Sequence, residues 1–167
     1  MIDLILSRFP EAVSGQIEFR GETTLVVQPY RLIEVCTFLR DEPALSFDLL
    51  SDVSAVDYFP DHPRFAVNYH LYSLLNNVSL RLKVWLDGEQ PQVASVTSVW
   101  PGANWHEREV WDLMGVRFDG HPDPRRLLLP DDYLGHPLRK DAAQFYEEPQ
   151  FTHNFDLIES QKPYAKE

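Results

Sequence analysis

The chain has 167 residues, of which 44% are hydrophobic and 25% charged, a composition typical of one globular domain and unlike that of a disordered or fibrous chain. Its 15 lysine and arginine residues face 26 aspartate and glutamate residues, and the formal charge of -11 argues against nucleic acid as a partner. The single cysteine, Cys36, cannot supply the roughly four thiolates of an iron–sulfur cluster, so any redox role of this chain is expected to be indirect.

The N-terminal part of the chain is predicted to form a helix, a hairpin and a second helix. Apolar residues recur at helical spacing over residues 2–9, immediately before a proline stop. Residues 16–19 and 23–27 have the composition of hairpin strands around an Arg-Gly-Glu turn. The second helix begins at Pro29, and its apolar stripe includes Cys36, so we expect this thiol to fill the core rather than to react.

Further strands are predicted over residues 49–56, 65–71, 78–86 and 93–99. Apolar and polar residues alternate strictly in the two middle strands, which indicates that one face of this antiparallel pair is wet or covered by something polar. Helices and strands that are mixed rather than alternating predict an α+β fold. We expect a two-layer sandwich of a mixed, largely antiparallel sheet with two helices, followed by a short helix and an irregular, proline-rich C-terminal extension.

The chain is predicted to divide into three parts. Residues 1–100 form the α+β core domain, and residues 101–141 form a segment of one helix plus turns that packs on the core and faces partners. Residues 142–167 form an extended tail whose aromatic residues stand among acids and prolines. Such a tail needs a surface to lie on, and that surface can belong to another protein.

The helix of the middle segment has clear predicted ends. Asn104 is placed as its N-cap, and Glu107, three residues later, completes a capping box. Gly115 fits the left-handed position just past the end of the helix. The tripeptide Gly-His-Pro then occurs twice, at residues 120–122 and 135–137, and we expect its histidines to make turn hydrogen bonds.

One face of this helix is predicted to meet a partner. It carries Trp105, Arg108, Glu109 and Asp112. An exposed Arg108–Asp112 ion pair contributes only ~0.2–0.5 kcal/mol, so stability is a weak reason for placing these charges there. A large aromatic side chain beside an arginine is, by contrast, typical of an interface anchor. The alternative is that Glu107 only caps the helix and that Glu109 and Asp112 form a solvated face.

An acid–base or metal site is the enzymatic alternative for the same helix. Glu107, Glu109 and His121 are the residues that such a stand-alone enzyme would use. Glu107 and Glu109 diverge by roughly 200° on a helix, however, and their spacing to histidine matches no metal-binding motif. We therefore predict no catalytic, cofactor-binding or metal-binding residue in this chain.

Two basic pairs follow the helix, Arg125 with Arg126 and Arg139 with Lys140. In an acidic protein these cations can clamp a carboxylate-rich neighbour, and arginine favours bidentate contacts. They can equally pair inside the chain. The internal acids available to them are Asp123, Asp131, Asp132 and Asp141.

The stretch from Trp100 to Asp141 is dense in short motifs. In order they are Glu-Arg-Glu at 107–109, Asp-Leu-Met-Gly at 112–115, Gly-His-Pro at 120–122, Arg-Arg-Leu-Leu-Leu-Pro-Asp-Asp at 125–132 and Gly-His-Pro-Leu-Arg-Lys-Asp at 135–141. In order and spacing this stretch strongly resembles the 30 kDa subunit family of respiratory complex I, the family of the C subunit of NADH-quinone oxidoreductase. Upstream, the succession of helices and strands is similar to that family in pattern only.

The resemblance implies a non-catalytic subunit in the hydrophilic peripheral arm of a proton-translocating NADH-quinone oxidoreductase. It implies that this chain binds no cofactor and that iron–sulfur clusters, FMN and quinone belong to partner subunits. The implied partners are the 49-kDa-type subunit and the small iron–sulfur subunit near the quinone site, with the membrane reached only through the complex. The alternative is the equivalent subunit of a membrane-bound hydrogenase or of a relative fed by another electron donor.

We expect the partner interface to lie on the middle segment. Its predicted residues are Trp105, Glu107, Arg108, Glu109, Asp112, His121, Arg125, Arg126, His136, Arg139 and Lys140. No stretch approaches the ~18 apolar residues of a membrane span, and the N-terminus lacks the pattern of an export signal or a transit peptide. We therefore expect the chain at the cytoplasmic face of a bacterial plasma membrane, or at the organelle equivalent.

Overall fold

The computed structural model describes residues 2–142 and Ser160. Within them the chain forms three α-helices and seven strands. The helices are α1 (Ile2–Arg8), α2 (Leu32–Asp41), which follows a 3-10 turn at Pro29–Arg31, and α3 (Ala103–Met114). The strands are β1 (Val13–Phe19), β2 (Glu22–Val27), β3 (Leu49–Asp57), β4 (Phe65–Ser73), β5 (Val78–Leu86), β6 (Gln92–Ala94) and β7 (Arg117–Asp119).

The first five strands form one mixed sheet in the order β1-β2-β5-β4-β3. β2 and β5 are parallel, whereas the other neighbouring pairs are antiparallel. The predicted α+β class and the mixed, largely antiparallel sheet are therefore confirmed. α3 packs against β3, the strand at one edge of the sheet, so the sheet edge positions this helix.

The predicted N-terminal hairpin is confirmed as β1 and β2. Arg20 and Gly21, which connect the two strands, have φ angles of 52° and 82°. Two successive residues in the left-handed region are what a tight two-residue turn between antiparallel strands requires. Glycine takes this conformation without the steric penalty of a side chain.

The core lies between the sheet and the helices. α2 contributes a stripe of four side chains with 0% exposure: Leu32, Val35, Cys36 and Leu39. They belong to the same cluster as the inward side chains of β4 and β5, such as Tyr69 and Leu82. The prediction that Cys36 fills the core is confirmed, and burial, together with the nearby charge of Glu107, raises the pKa of its thiol.

The strand predicted over residues 93–99 is wrong in length. β6 covers only Gln92–Ala94, and it pairs in parallel with β7 rather than with the main sheet. The chain turns after β6 because the Ser95 hydroxyl and the Val96 N–H group both donate to the carboxylate of Glu107. A backbone donor engaged by a side chain cannot extend a sheet ladder.

The three-part division of the chain stays a prediction. The structure describes only Ala142 and Ser160 of the predicted tail over residues 142–167, and the rest of the tail lies outside the described residues.

Candidate functional site

The predicted capping box at the start of α3 is wrong. The N-cap position is Gly102, which makes no side-chain cap. Glu107 has 0% exposure, and its carboxylate accepts hydrogen bonds from Ser95 Oγ at 2.6 Å and from the Val96 N–H group at 2.7 Å. The carboxylate is drawn inward because the β6–α3 connection brings two donors to it, which a buried carboxylate needs.

Glu107 and His121 are neighbours without a direct hydrogen bond. Burial raises the pKa of Glu107 to about 7, although the hydrogen bonds from Ser95 and Val96 act in the opposite direction. His121 Nδ1 accepts from the Asp123 N–H group at 3.0 Å, so Nε2 carries the proton and donates to the Asn104 carbonyl at 3.1 Å. His121 Nε2 lies 3.9 Å from Glu107 Oε2.

A cavity of about 330 Å³ borders this pair. Glu107, Arg108, Trp111 and His121 are among its lining residues, whereas Glu109 is exposed and lies outside it. Among residues 2–142, no three or more His, Cys, Asp or Glu side chains are grouped so that they could hold a metal ion.

Arg108 points into the chain and binds the segment that follows the helix. Its side chain is 9% exposed. Nε donates to the Arg125 carbonyl at 3.0 Å, Nη2 donates to the Arg126 carbonyl at 2.9 Å, and Nη1 lies 3.5 Å from a carboxylate oxygen of Asp123. The expected ion pair with Asp112 across an exposed helix face is therefore replaced by contacts with the segment that covers that face.

Asp112 is the most densely bonded side chain on the helix. It has 0% exposure, and its Oδ2 accepts the N–H groups of Leu127, Leu128 and Leu129 at 3.0, 2.8 and 2.9 Å. Its Oδ1 accepts from Arg126 Nη1 at 2.6 Å. Burial alone would raise the pKa of Asp112, but these four donors outweigh it and lower the pKa to about 2.

The second Gly-His-Pro turn supplies donors to the carboxyl end of α3. His136 Nδ1 lies 2.8 Å from the Asp112 carbonyl, and the Leu138 N–H group donates to the Leu113 carbonyl at 3.0 Å. Arg139 Nε donates to the Met114 carbonyl at 2.8 Å. The last carbonyls of a helix have no partner inside the helix, so here the later segment satisfies them.

Gly115 makes this approach possible. Its φ of 72° confirms the predicted left-handed position past the helix end. A Cβ atom at this residue would lie 2.4 Å from His136 Cδ2 and 2.7 Å from Arg139 Nη2. Glycine is therefore required both for the backbone conformation and for the space that the incoming side chains occupy.

Arg64 fastens the far end of the segment to the sheet, a role that the sequence analysis did not identify. Its guanidinium binds both carboxylate oxygens of Asp57, at 3.0 and 2.8 Å, and both of Asp141, at 3.0 and 2.7 Å. The Lys140 N–H group donates to Asp57 as well, at 3.0 Å. No periodic pattern marks Arg64, which follows a turn and precedes a strand.

We call residues 120–142 the post-helix segment. Two of its arginines form ion pairs within the chain, Arg126 with Asp112 and Arg125 with Asp123, each at 2.6 Å. Arg125 thus has one of the internal partners named above, and Arg126 has Asp112, which was not among them; whether these arginines also clamp a partner stays a prediction. Arg139 binds backbone carbonyls rather than an acid.

The predicted interface residues divide by exposure. Trp105, Glu109, Arg125 and Lys140 are exposed. Glu107, Arg108 and Asp112 are buried in the chain, whereas His121, Arg126, His136 and Arg139 are partly buried. Whether they form a partner interface stays a prediction, but the side chains of Glu107 and Asp112 are enclosed by this chain.

Three exposed leucines on the post-helix segment escaped the sequence analysis. Leu128, Leu134 and Leu138 are 60%, 93% and 58% exposed. The backbone is anchored beside each of them: Asp112 binds the Leu128 N–H group, Arg126 donates to the Tyr133 carbonyl, and the Leu138 N–H group donates to the Leu113 carbonyl. The sequence did contain a signal for them, because leucines in a segment too rich in proline to form a helix have no regular core-facing side.

Across the residues that the structure describes, no helix has the length and apolar character needed to cross a membrane.

Comparison with known proteins gives one consistent family. The family model described as "Respiratory-chain NADH dehydrogenase, 30 Kd subunit" matches residues 25–148. The C subunit of the NADH-quinone oxidoreductase of Roseiflexus sp. (strain RS-1) is 46% identical over 167 residues, which cover 100% of this chain and 96% of the relative. Its counterpart in Roseiflexus castenholzii is 48% identical over 158 residues, covering 95% of this chain and 91% of that protein.

Two solved structures have a similar fold. One is a trypsin-resistant fragment (1-134) of Nqo5, with 30% identity and a TM-score of 0.60, covering 73% of this chain and 98% of the fragment. The other comes from the membrane-bound sulfane sulfur reductase, an archaeal respiratory membrane complex, with 19% identity and a TM-score of 0.72 over 99% of this chain and 94% of that one. At 19% identity the second similarity shows the fold alone.

Proposed function

This chain belongs to the 30 kDa subunit family of the respiratory-chain NADH dehydrogenase, and on that premise we propose that it is a non-catalytic scaffold subunit of a proton-translocating NADH-quinone oxidoreductase. In this proposal it sits in the peripheral arm at the cytoplasmic face of the membrane, or at the organelle equivalent. It holds the 49-kDa-type subunit and the small iron–sulfur subunit near the quinone site. The clusters, FMN and quinone are bound by partner subunits.

The observation that carries the proposal is the construction of the post-helix segment. Asp112 and Arg108 are directed at its backbone rather than at a substrate, and they hold it on α3. The outward side of the same segment presents Leu128, Leu134 and Leu138. Exposed apolar side chains on a preorganised backbone lose little conformational entropy on docking, which favours binding another protein.

Charged and aromatic side chains accompany these leucines. Trp105 is 61% exposed on α3, and the Arg108 guanidinium lies 5.3 Å from the centre of its ring. Arg125 and Lys140 are exposed on the segment itself. Tryptophan and arginine are enriched among the residues that dominate interface energies, so this surface has the composition of a protein–protein contact.

Co-purification from native membranes tests the proposal. The full chain carries an affinity tag, and the amounts of the 49-kDa-type and small iron–sulfur subunits recovered with it are measured. Leu134→Asp should lower that recovery at least about tenfold, because it places a charge in the interface. The melting temperature of the purified chain should not change, since Leu134 is 93% exposed.

Leu75→Asp is the matched control. Leu75 is 74% exposed at the turn between β4 and β5, at the opposite end of β4 from Arg64, which binds the post-helix segment. This variant should assemble at full yield. Full assembly and normal quinone reduction by the Leu134→Asp variant would refute the interface, and a monodisperse monomer with turnover of its own would refute the scaffold role. The co-purified electron-input subunits identify the donor and so distinguish a hydrogenase-type relative.

A further inference from the structure

The main sheet has a second face, opposite the core, that no described helix covers. Strand residues alternate between the two faces, so the residues between the core positions point outward. One row across the sheet joins Ile17, Thr24, Arg81, His70 and Asp52 through successive strand pairs. We call this surface the outer face. The strict alternation of β4 and β5 predicted a wet or polar-covered face at this position.

The outer face has apolar side chains at two places, with Lys83 between them. On β1, Ile17 and Phe19 are 50% and 66% exposed. Near the end of β5, the rings of Trp85 and Tyr58 lie 5.1 Å apart. A cavity of about 310 Å³ lies between these two places, and Phe19, Tyr58, His70, Arg81 and Lys83 are among its lining residues.

Lys83 lies at the centre of this face without a carboxylate partner. Its ammonium is 4.0 Å from the centre of the Trp85 ring and 5.1 Å from that of Tyr58, and it donates to the Tyr58 hydroxyl at 3.2 Å. Within residues 2–142, no carboxylate oxygen lies within 4 Å of this ammonium. An uncompensated cation is notable in a chain whose formal charge is -11.

Two acids on the outer face already have partners. Glu22 binds Arg81 at 2.5 Å, and Asp52 lies 3.5 Å from His106 Nδ1. Burial, followed by the charge of Arg81, lowers the pKa of His70, which keeps its imidazole neutral at pH 7. Glu22 compensates the charge of Arg81, so the uncompensated positive charge at the centre of the face is that of Lys83, and a carboxylate is complementary to it.

We propose that the outer face binds an extended acidic segment of a partner subunit, with a carboxylate on the Lys83 ammonium and apolar side chains against Phe19 and Trp85. The inference rests on the proposed function, which supplies the partner subunits. Five strands about 4.8 Å apart span roughly 19 Å, which matches about six extended residues. A small molecule fits less well, because small-molecule sites enclose most of their ligand and this face is open.

Site-specific photo-cross-linking in the purified, assembled complex tests this inference. Phe19 is replaced by p-benzoylphenylalanine, and the cross-linked peptides are identified by mass spectrometry. The matched control places the same probe at Glu18, which is exposed on the same strand but points to the opposite side. Phe19 should cross-link to one peptide of another subunit that contains Asp or Glu, with a yield at least about fivefold above that from Glu18.

Lys83 variants test the charge contact in the same assay. Lys83→Glu should lower the Phe19 cross-link yield at least about tenfold, and Lys83→Arg should retain it, because only the sign of the charge matters for the attraction. Lys83→Gln removes the charge and keeps a polar side chain, so it replaces Lys83→Glu should that variant fail to fold. An unchanged yield with Lys83→Gln would refute the charge contact.

The outcomes separate this inference from the proposed function. If the tagged chain recovers its partner subunits but the Phe19 probe reacts with none of them, the inference fails and the scaffold role stands. Cross-links confined to this chain's own residues 143–167 would also overturn it, since the occupant would then be internal. If no partner subunit is recovered at all, both fail.

Discussion

Asp112 and Arg126 join α3 to the segment that follows it, with Asp112 Oδ1 and Arg126 Nη1 2.6 Å apart and side-chain exposures of 0% and 16%. The pair lies under the post-helix segment rather than on its outside. Because Asp112 also binds three successive backbone N–H groups, it fixes the path of the chain through residues 127–129. The buried Asp112 carboxylate therefore fixes the backbone of the post-helix segment, and the exposed leucines project from that backbone.

Removing the Asp112 carboxylate should therefore loosen the post-helix segment. Asp112→Ala leaves Arg126 and three N–H groups without their acceptor, and we expect a loss of roughly 3–5 kcal/mol in the free energy of unfolding. Urea denaturation of the purified chain at pH 7 measures it. Asp132→Ala, an exposed acid on the same segment, should change the value by less than about 0.5 kcal/mol. Equal effects of the two variants would contradict the assignment.

Gly115→Ala should detach the end of the post-helix segment. The new Cβ would overlap His136 and Arg139 in addition to straining a φ of 72°. Gly120→Ala is the control for the strain alone, since its φ is 79° and nothing lies within 4 Å of the added atom. We expect about 1 kcal/mol of destabilisation for Gly120→Ala and clearly more for Gly115→Ala. Only the latter should raise hydrogen exchange over residues 136–142.

Glu107 should make stability fall as the pH rises. Its pKa is raised from 4.5 to about 7, so the folded chain binds more protons than the unfolded chain between these values. The slope of the unfolding free energy against pH is then negative over this window, and the integrated loss is roughly 2–3 kcal/mol. Glu107→Gln keeps an acceptor for Val96 and removes the titration.

The measurement is urea unfolding of both proteins from pH 4.5 to pH 8. The stability of the Glu107→Gln variant relative to the parent chain should rise across this range, because only the parent must bury a carboxylate charge at high pH. A difference that stays constant with pH would show that Glu107 titrates at its ordinary value.

Arg64→Met should remove the link between the sheet and the end of the post-helix segment. Burial raises the pKa of Asp57, but Arg64 and two N–H groups outweigh it and lower the pKa to about 2. Asp57 thus contributes stability above pH 3.8 that is lost as the pH falls through 2. The variant should lose roughly 3–5 kcal/mol at pH 7, because the buried carboxylate is left unpaired.

The same variant should also show a weaker decline in stability between pH 4 and pH 2 than the parent chain, as followed by acid unfolding. Arg117→Met is the matched control, since the Arg117 side chain is 72% exposed, and its unfolding free energy should stay within about 0.5 kcal/mol of the parent value. A loss from Arg117→Met as large as that from Arg64→Met would argue against a specific contact.

Hydrophobic spacing predicted the helices and strands that form the layers of this fold, but it did not predict which groups the charged side chains bind. The periods of two and of 3.6 identified β4, β5 and α2 because those elements bury one face against a single core. On α3 the same reasoning placed Arg108 and Asp112 on an outward side that was predicted to meet a partner. A second layer of chain covers that side, and a helical wheel contains no information about what comes to lie over it.

The misplaced Glu107 has a related cause. Capping rules predict a local partner for a glutamate at this position, whereas its partners, Ser95 and Val96, lie in the preceding turn. One general rule did contain the missing signal, since helix-end carbonyls need donors and α3 has no basic residue in its last turn. Donors had to come from elsewhere in the chain, and Arg139 is one of them.

The way in which α3 is completed also sets an order of events during synthesis. The carbonyls of Leu113 and Met114 receive their donors from Leu138 and Arg139, which leave the ribosome more than twenty residues after the helix itself. Until then α3 can pack against β3, but the carbonyls of Leu113 and Met114 at its carboxyl end lack these donors. A nascent chain arrested between these points, or a product cut there by a protease, carries every residue of α3 and still lacks the donors that satisfy the last carbonyls of the helix.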